Sequence, residues 1–119
     1  MRRRGSVVMA LVAVVTLFGG NAALAAVPST ISMGFNHETE HFHGQVSSSD
    51  AECVAGRTVK LFEKTADGRT LQGKTTSTAS GSWNIELMHA QGQYLAVTPK
   101  EKVMHTTCGK AVSRIVDVM

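Results

Sequence analysis

The chain has 119 residues, with 12 Lys and Arg, nine Asp and Glu, and a formal charge of +3. This length allows one small domain rather than two. Three of the cations are Arg2, Arg3 and Arg4, so the rest of the chain carries nine cations and nine anions. A nucleic-acid-binding protein needs a net basic face to replace phosphate counterions, so the composition disfavours this class.

The first 25 residues predict a secretory signal peptide. The three arginines precede an apolar run over residues 7–18, and Ala23-Leu24-Ala25 forms a small-x-small cleavage site. The apolar run is too short to cross a bilayer, which takes about 20 residues. We therefore expect a mature domain over residues 26–119 that is secreted or periplasmic and has no membrane span after cleavage.

The two cysteines, Cys53 and Cys108, both lie in the predicted mature domain. In an oxidising compartment an even number of cysteines predicts a disulfide. A loop of this length is stabilised by roughly 4 kcal/mol in the chain-entropy description. The alternative is two free thiols in a metal or redox site, but the Cys-x-x-Cys spacing typical of such sites is absent from the sequence.

The mature sequence alternates between apolar and polar residues with a period of two, which is typical of β-strands with one buried face. Turn signals such as Asp67-Gly68 separate the runs, because both residues tolerate the positive φ of tight hairpins. The spacing predicts an all-β fold, an antiparallel two-sheet sandwich of about seven strands. The side chains predicted for its core are Phe42, Val59, Leu61, Trp83, Ile85 and Leu87.

One stretch resembles a known family. Residues 73–83 have the form G-x-T-x-T-x-x-x-G-x-W, and Gly92-Gln93-Tyr94 follows them. Upstream, Cys53 precedes Gly56-Arg57-x-Val59-x-Leu61, and Cys108 lies just before the last apolar run. This pattern resembles small secreted bacterial β-sandwich domains of the transthyretin-like or immunoglobulin-like kind, including carboxypeptidase regulatory-like and collagen-adhesin B-repeat domains. The resemblance implies a sandwich with a non-catalytic role such as spacer, adhesion or accessory module.

A histidine-rich segment is the one candidate site for metal chemistry. Three of the five histidines lie within residues 36–43. If residues 39–47 form a strand, His41 and His43 project from the same face about 6.5 to 7 Å apart. They could chelate Cu or Zn, with His37 or Glu38 completing the ligand set. The alternative is a solvated outer strand face, because Phe42 between the two histidines points to the core.

Enzymatic motifs are absent from the sequence. No Gly-x-Ser-x-Gly elbow presents a serine, and Glu38 and Glu40 have no predicted pocket around them. Trp83 and Tyr94 can be read as carbohydrate-stacking platforms or as core anchors. We predict a monomeric, non-catalytic binding or structural module without a cofactor, whose partner is an unidentified protein or carbohydrate surface. The alternative is a small exported Cu- or Zn-binding protein that uses His37 to His43.

Overall fold

The computed structural model describes residues 25–119. The predicted signal peptide, residues 1–25, lies outside this part except for Ala25. The described residues form eleven short strands and one 3-10 helix, Ala51–Cys53, with no α-helix among them. The strands are β1 (Ser29–Ile31), β2 (Gly34–Asn36), β3 (His41–Ser48), β4 (Thr58–Thr65), β5 (Gly68–Thr76), β6 (Ser82–Glu86), β7 (Gly92–Thr98), β8 (Glu101–Val103), β9 (Thr106–Cys108), β10 (Ala111–Val112) and β11 (Val116–Val118). This part of the chain contains no helix that could span a membrane.

The strands form two main sheets and a small hairpin. In the first sheet β3 is central, with β6 along one side and both β1 and β2 along the other. In the second sheet β4 and β7 are central, β5 forms one edge, and β10 and β11 form the other. The hairpin consists of β8 and β9. All of these strand pairs are antiparallel, which confirms the prediction of an antiparallel all-β fold.

Two of the edges are made of interrupted strands. β1 and β2 both pair with β3 in the same register, so they form one edge strand that is interrupted at residues 32–33. β10 and β11 both pair with β7 and are separated by residues 113–115. These interruptions, together with the β8–β9 hairpin, give more strands than the apolar runs of the sequence suggest.

Each main sheet has an inner and an outer face, because successive side chains of a strand point in opposite directions. On β3, Phe42 and Val46 are buried whereas His43 and Gln45 are exposed. The inner faces of both sheets contribute to one hydrophobic core. Its buried members are Ile31, Met33, Phe42, Val46, Val59, Leu61, Trp83, Ile85, Tyr94, Ala96, Ala111 and Val118. Leu87 is partly buried against this core.

Tyr94 closes the corner at the start of β7. Its ring lies 4.8 Å from that of Phe42. Its hydroxyl donates to the Gln91 carbonyl oxygen at 3.0 Å and accepts from the Gln91 N–H at 3.1 Å. Burial raises the pKa of the Tyr94 phenol; the hydrogen bond to Gln91 opposes this rise and the Glu63 carboxylate adds to it. Tyr94 is therefore a neutral core side chain whose polar end is satisfied by the backbone.

A disulfide joins Cys53 to Cys108, as expected, with their Cα atoms 5.4 Å apart. Both cysteines are buried. Cys53 ends the 3-10 helix that follows β3, and Cys108 ends β9. The bond therefore connects the β8–β9 hairpin to a segment 55 positions earlier in the chain.

The guanidinium of Arg57 is completely buried next to this disulfide. A guanidinium has five N–H donors, and here each of them has an acceptor. The acceptors are Glu101 Oε2 at 2.9 Å, Ser29 Oγ at 2.8 Å, and the carbonyl oxygens of Cys53 at 3.0 Å, Pro99 at 3.2 Å and Gly109 at 2.8 Å. Glu101 also accepts from the N–H and the hydroxyl of Thr58. Arg57 thus connects four separate segments around one planar cation, since Pro99 and Glu101 are neighbours in the chain.

Replacing Arg57 with lysine should destabilise the fold strongly. Lysine keeps the charge, but its three donors cannot satisfy five acceptors that are arranged for a planar fork. We expect the free energy of unfolding to fall by about 3 kcal/mol or more, because at least two buried acceptors are left without a donor. Urea denaturation followed by Trp83 fluorescence would measure it. Arg69→Lys, at an exposed position, is the matched control, and a loss below about 1 kcal/mol for Arg57→Lys would contradict the assigned role.

Reduction of the disulfide should lower the melting temperature by more than about 10 °C, because a loop of this length is stabilised by roughly 4 kcal/mol. Circular dichroism melts with and without reductant would measure the shift. Intact mass of the unreduced protein should be lower than that of the dithiol by two hydrogen atoms. Alkylation of both cysteines in unreduced, natively purified protein would show that the bond is absent.

Candidate functional site

His41 and His43 lie on the outer face of β3, between the two neighbouring strands of the first sheet. His41 is opposite Asn36 of β2 and Glu86 of β6. His43 is opposite Gly34 of β2 and Asn84 of β6. His41 is half-buried and His43 exposed, while Phe42 between them is completely buried. Strand alternation therefore places both imidazoles on the same solvent-facing surface.

These two imidazoles line a groove of about 290 Å³ that is open to solvent. The lining residues are Asn36, Thr39, His41, His43 and Asn84. Gly34 leaves room for one of the rings, since a Cβ at this position would lie only 3.3 Å from Cε1 of His43. The groove thus offers two imidazoles, two amides and one hydroxyl, without a carboxylate in its lining.

The structure does not bring His37 and Glu38 to this pair. The ring of His37 packs edge-on against that of Phe35, with 4.9 Å between their centroids. Phe35 in turn packs against the inner core, 4.7 Å from the ring of Phe42. Glu38 is exposed in the turn, where its N–H donates to Oδ1 of Asn36. Within residues 25–119 no group of three or more His, Cys, Asp or Glu side chains could hold a metal ion.

Glu40 holds together the two turns next to the groove. Glu40 and His89 both adopt left-handed backbone conformations, with φ of 57° and 60°. The Glu40 carboxylate accepts from the His89 N–H at 2.6 Å, and its carbonyl oxygen accepts from the Leu87 N–H at 3.0 Å. Glu40 is therefore engaged in a structural contact between turns rather than paired with Glu38 as an acid and base.

Other residues with side chains suited to metal or carbohydrate binding do not line the groove. Met104 and His105 form the turn between β8 and β9, with Met104 73% exposed. Trp83 and Tyr94 are each 3% exposed, so neither is a stacking platform for a carbohydrate. The indole N–H of Trp83 is buried without a hydrogen-bond partner among the described residues.

The role of Arg57 was not predicted from the sequence, although a signal for it was present. Arg57 is two positions before Val59 and four before Leu61, so a strand would point all three side chains to the same face. The side chains of Val59 and Leu61 are completely buried. An arginine at this parity, just before a buried strand segment, is expected to point inward with its partners supplied by neighbouring loops. Glu101 supplies one of them from 44 positions away, a separation that no local pattern indicates.

Comparison with known proteins adds no relative. No family model matches the chain, and neither a curated protein nor a solved structure does. The resemblance to secreted sandwich domains therefore depends on the motif residues alone. The groove itself presents two imidazoles on one face, and imidazole nitrogens are ligands that Cu(II) and Zn(II) accept.

Two imidazoles without a third strong ligand should bind metal weakly. We expect calorimetric titration at pH 7.5 to give a Zn(II) dissociation constant above about 100 μM, equivalent to about −5.5 kcal/mol. Cu(II) should bind more tightly than Zn(II), following the usual affinity order. His41→Ala and His43→Ala should each weaken Cu(II) binding, whereas His89→Ala and His105→Ala should leave it unchanged. Loss of affinity in the last two variants would place the metal outside the groove.

Proposed function

We propose that this protein is an exported, non-catalytic β-sandwich module that acts as a binding or structural unit at the cell surface or outside the cell. The observation that carries the proposal is the single core shared by both sheets and cross-linked by a disulfide. Disulfides of this kind persist in oxidising compartments. The apolar inner faces are used for folding, which leaves the outer faces and one open groove for contacts with partners.

The sandwich part of the proposal is supported by strand count and by the corner at β7. If each interrupted pair is counted as one strand, the first sheet has three strands and the second has four. Tyr94 hydrogen-bonds to the backbone three residues upstream, as the tyrosine corner of immunoglobulin-like sandwiches does. Both features fit the transthyretin-like or immunoglobulin-like domains that the motif residues resemble.

A non-catalytic role is supported by the polar groups of the structure. The most extensive buried polar network, around Arg57 and Glu101, is fully hydrogen-bonded within the protein. The groove is open to water. Glu86 lies opposite His41 across the sheet, but among the described residues no carboxylate lies within 4.0 Å of a ring nitrogen of His41 or His43 to orient it as a general base. The arrangement is suited to recognition rather than to acid–base chemistry.

A second candidate function is metal binding in the groove. Its support is the placement of His41 and His43 on the same face with Asn36 and Asn84 beside them. In this function the protein would be a small exported Cu- or Zn-binding protein. The affinity measured by the calorimetric titration separates the two candidates. A Cu(II) dissociation constant far below about 100 μM would support the metal function, whereas weak Cu(II) binding close to that of Zn(II) would support the non-catalytic module.

Export is tested by expressing the full chain in exporting bacterial cells. We expect it outside the cytoplasm, with an intact mass that corresponds to oxidised residues 26–119. A Val14→Asp, Leu17→Arg variant interrupts the apolar run and should stay in the cytoplasm uncleaved; Lys102→Gln is the control for an unrelated substitution. A 119-residue cytoplasmic protein with two free thiols would refute the proposal.

A further inference from the structure

Four cations lie together on the outer face of the second sheet. They are Lys60 and Lys64 on β4 and Arg69 and Lys74 on β5, and we call them the cationic face. Val59 and Leu61, which alternate with Lys60, point into the core, so the lysines of β4 point the opposite way. Lys64, Arg69 and Lys74 are exposed, and Lys60 is half-buried.

The cationic face consists of two like-charge pairs. Lys60 lies directly opposite Lys74, and Lys64 directly opposite Arg69. Like charges in such positions destabilise a sheet. The ion pair formed by the described residues joins Arg57 to Glu101, so none of the four cations has a carboxylate within 4.0 Å among them. Asp117 on β11, opposite Gln93, is an acidic residue on the same face, two strands away from β4.

Apolar side chains, which we call the apolar stripe, lie among these cations. Between the two pairs, Phe62 lies opposite Leu71 on one side and Leu95 on the other. In the row of Lys60, Val97 lies opposite Lys60 and Val112 lies opposite Val97. Leu95 and Val97 are buried. Leu71 is 51% exposed and Val112 is 49% exposed. The guanidinium of Arg69 lies 4.7 Å above the centre of the Phe62 ring. Aliphatic side chains thus protrude from a surface whose polar groups are mostly cationic.

The β4–β5 hairpin carries more cations than anions. Residues 26–119 carry equal numbers of cations and anions, yet the cationic face holds four cations on two adjacent strands. The two carboxylates of this hairpin are Glu63, which alternates with Lys64 and therefore points to the opposite face, and Asp67 in the turn. A neutral domain with this distribution can orient one face toward an anionic surface.

We infer that the cationic face binds the surface of an anionic lipid bilayer. This rests on the proposed export, which would place the domain beside a membrane. The two cation pairs are about 13 Å apart along β4, so each can contact a different headgroup phosphate. The apolar stripe distinguishes a bilayer from a soluble polyanion. Exposed Leu71 and Val112 can bury apolar surface in the interfacial region of a bilayer, whereas a polyphosphate or an acidic glycan has no apolar region in which to bury them.

Co-sedimentation with vesicles tests this inference. The processed protein, purified from exporting cells and confirmed by mass to lack the predicted signal peptide, is mixed with vesicles of phosphatidylglycerol and phosphatidylcholine or of phosphatidylcholine alone. We expect binding to the anionic vesicles, loss of binding as NaCl is raised to 0.5 M, and little binding to the neutral vesicles. Lys60→Gln with Lys74→Gln should weaken partitioning about 30-fold. The same variant should melt no lower than the wild type, because it removes a repulsive pair.

Matched variants test whether vesicle binding depends on the cationic face itself rather than on the net charge or the general hydrophobicity of the protein. Lys102→Gln with Lys110→Gln removes the same charge elsewhere and should retain most of the binding. Leu71→Ser should weaken binding several-fold, whereas Met104→Ser at the hairpin tip should not. Equal losses in the two double lysine variants, an unchanged Leu71→Ser variant, or no binding to anionic vesicles would each overturn the inference. Export is scored separately by fractionation, so these outcomes leave the proposed function unaffected.

Discussion

The buried guanidinium of Arg57 joins β1 of the first sheet to segments outside the two main sheets at one end of the molecule. Five N–H groups bond to five acceptors that come from β1, the 3-10 helix, the two loops that flank the β8–β9 hairpin, and β8 itself. A buried charge is tolerated only when it is paired and its hydrogen bonds are complete. These segments must therefore be correctly placed together, or the cation is left unsatisfied in the interior.

The disulfide acts on the same end of the molecule by a different mechanism. The Cys53–Cys108 bond lowers the conformational entropy of the unfolded chain. The Arg57 network instead stabilises the native arrangement through directional hydrogen bonds. Arg57 bonds to the carbonyl oxygen of Cys53 itself, so the two constraints share a segment. With this end cross-linked and the inner faces packed together, the outer faces of the sheets can also carry exposed side chains that contribute little to folding. One outer face displays imidazoles and amides, and the other displays cations and aliphatic groups.

Most of the fold follows from local patterns, and the candidate site follows only in part. Period-two alternation places Phe42 inward and His41 and His43 outward without any tertiary information. The position of His37 could not be predicted in this way, because it lies in a turn where alternation ends and its ring is held by Phe35. Tyr94 has the opposite parity to Leu95 and Val97, and no pattern shows that β7 is buried on both of its faces.

The sequence by itself determined the strand character, the inward and outward side chains of β3 and β4, and the presence of two cysteines that can pair. These are properties of neighbouring residues, because the geometry of a strand repeats every two positions. Only the tertiary structure decided which strands are adjacent, that Glu101 reaches Arg57, and that Lys60 lies opposite Lys74. Such contacts join residues that are distant in sequence, and they depend on cross-strand register and loop paths, which the packing of the shared core selects.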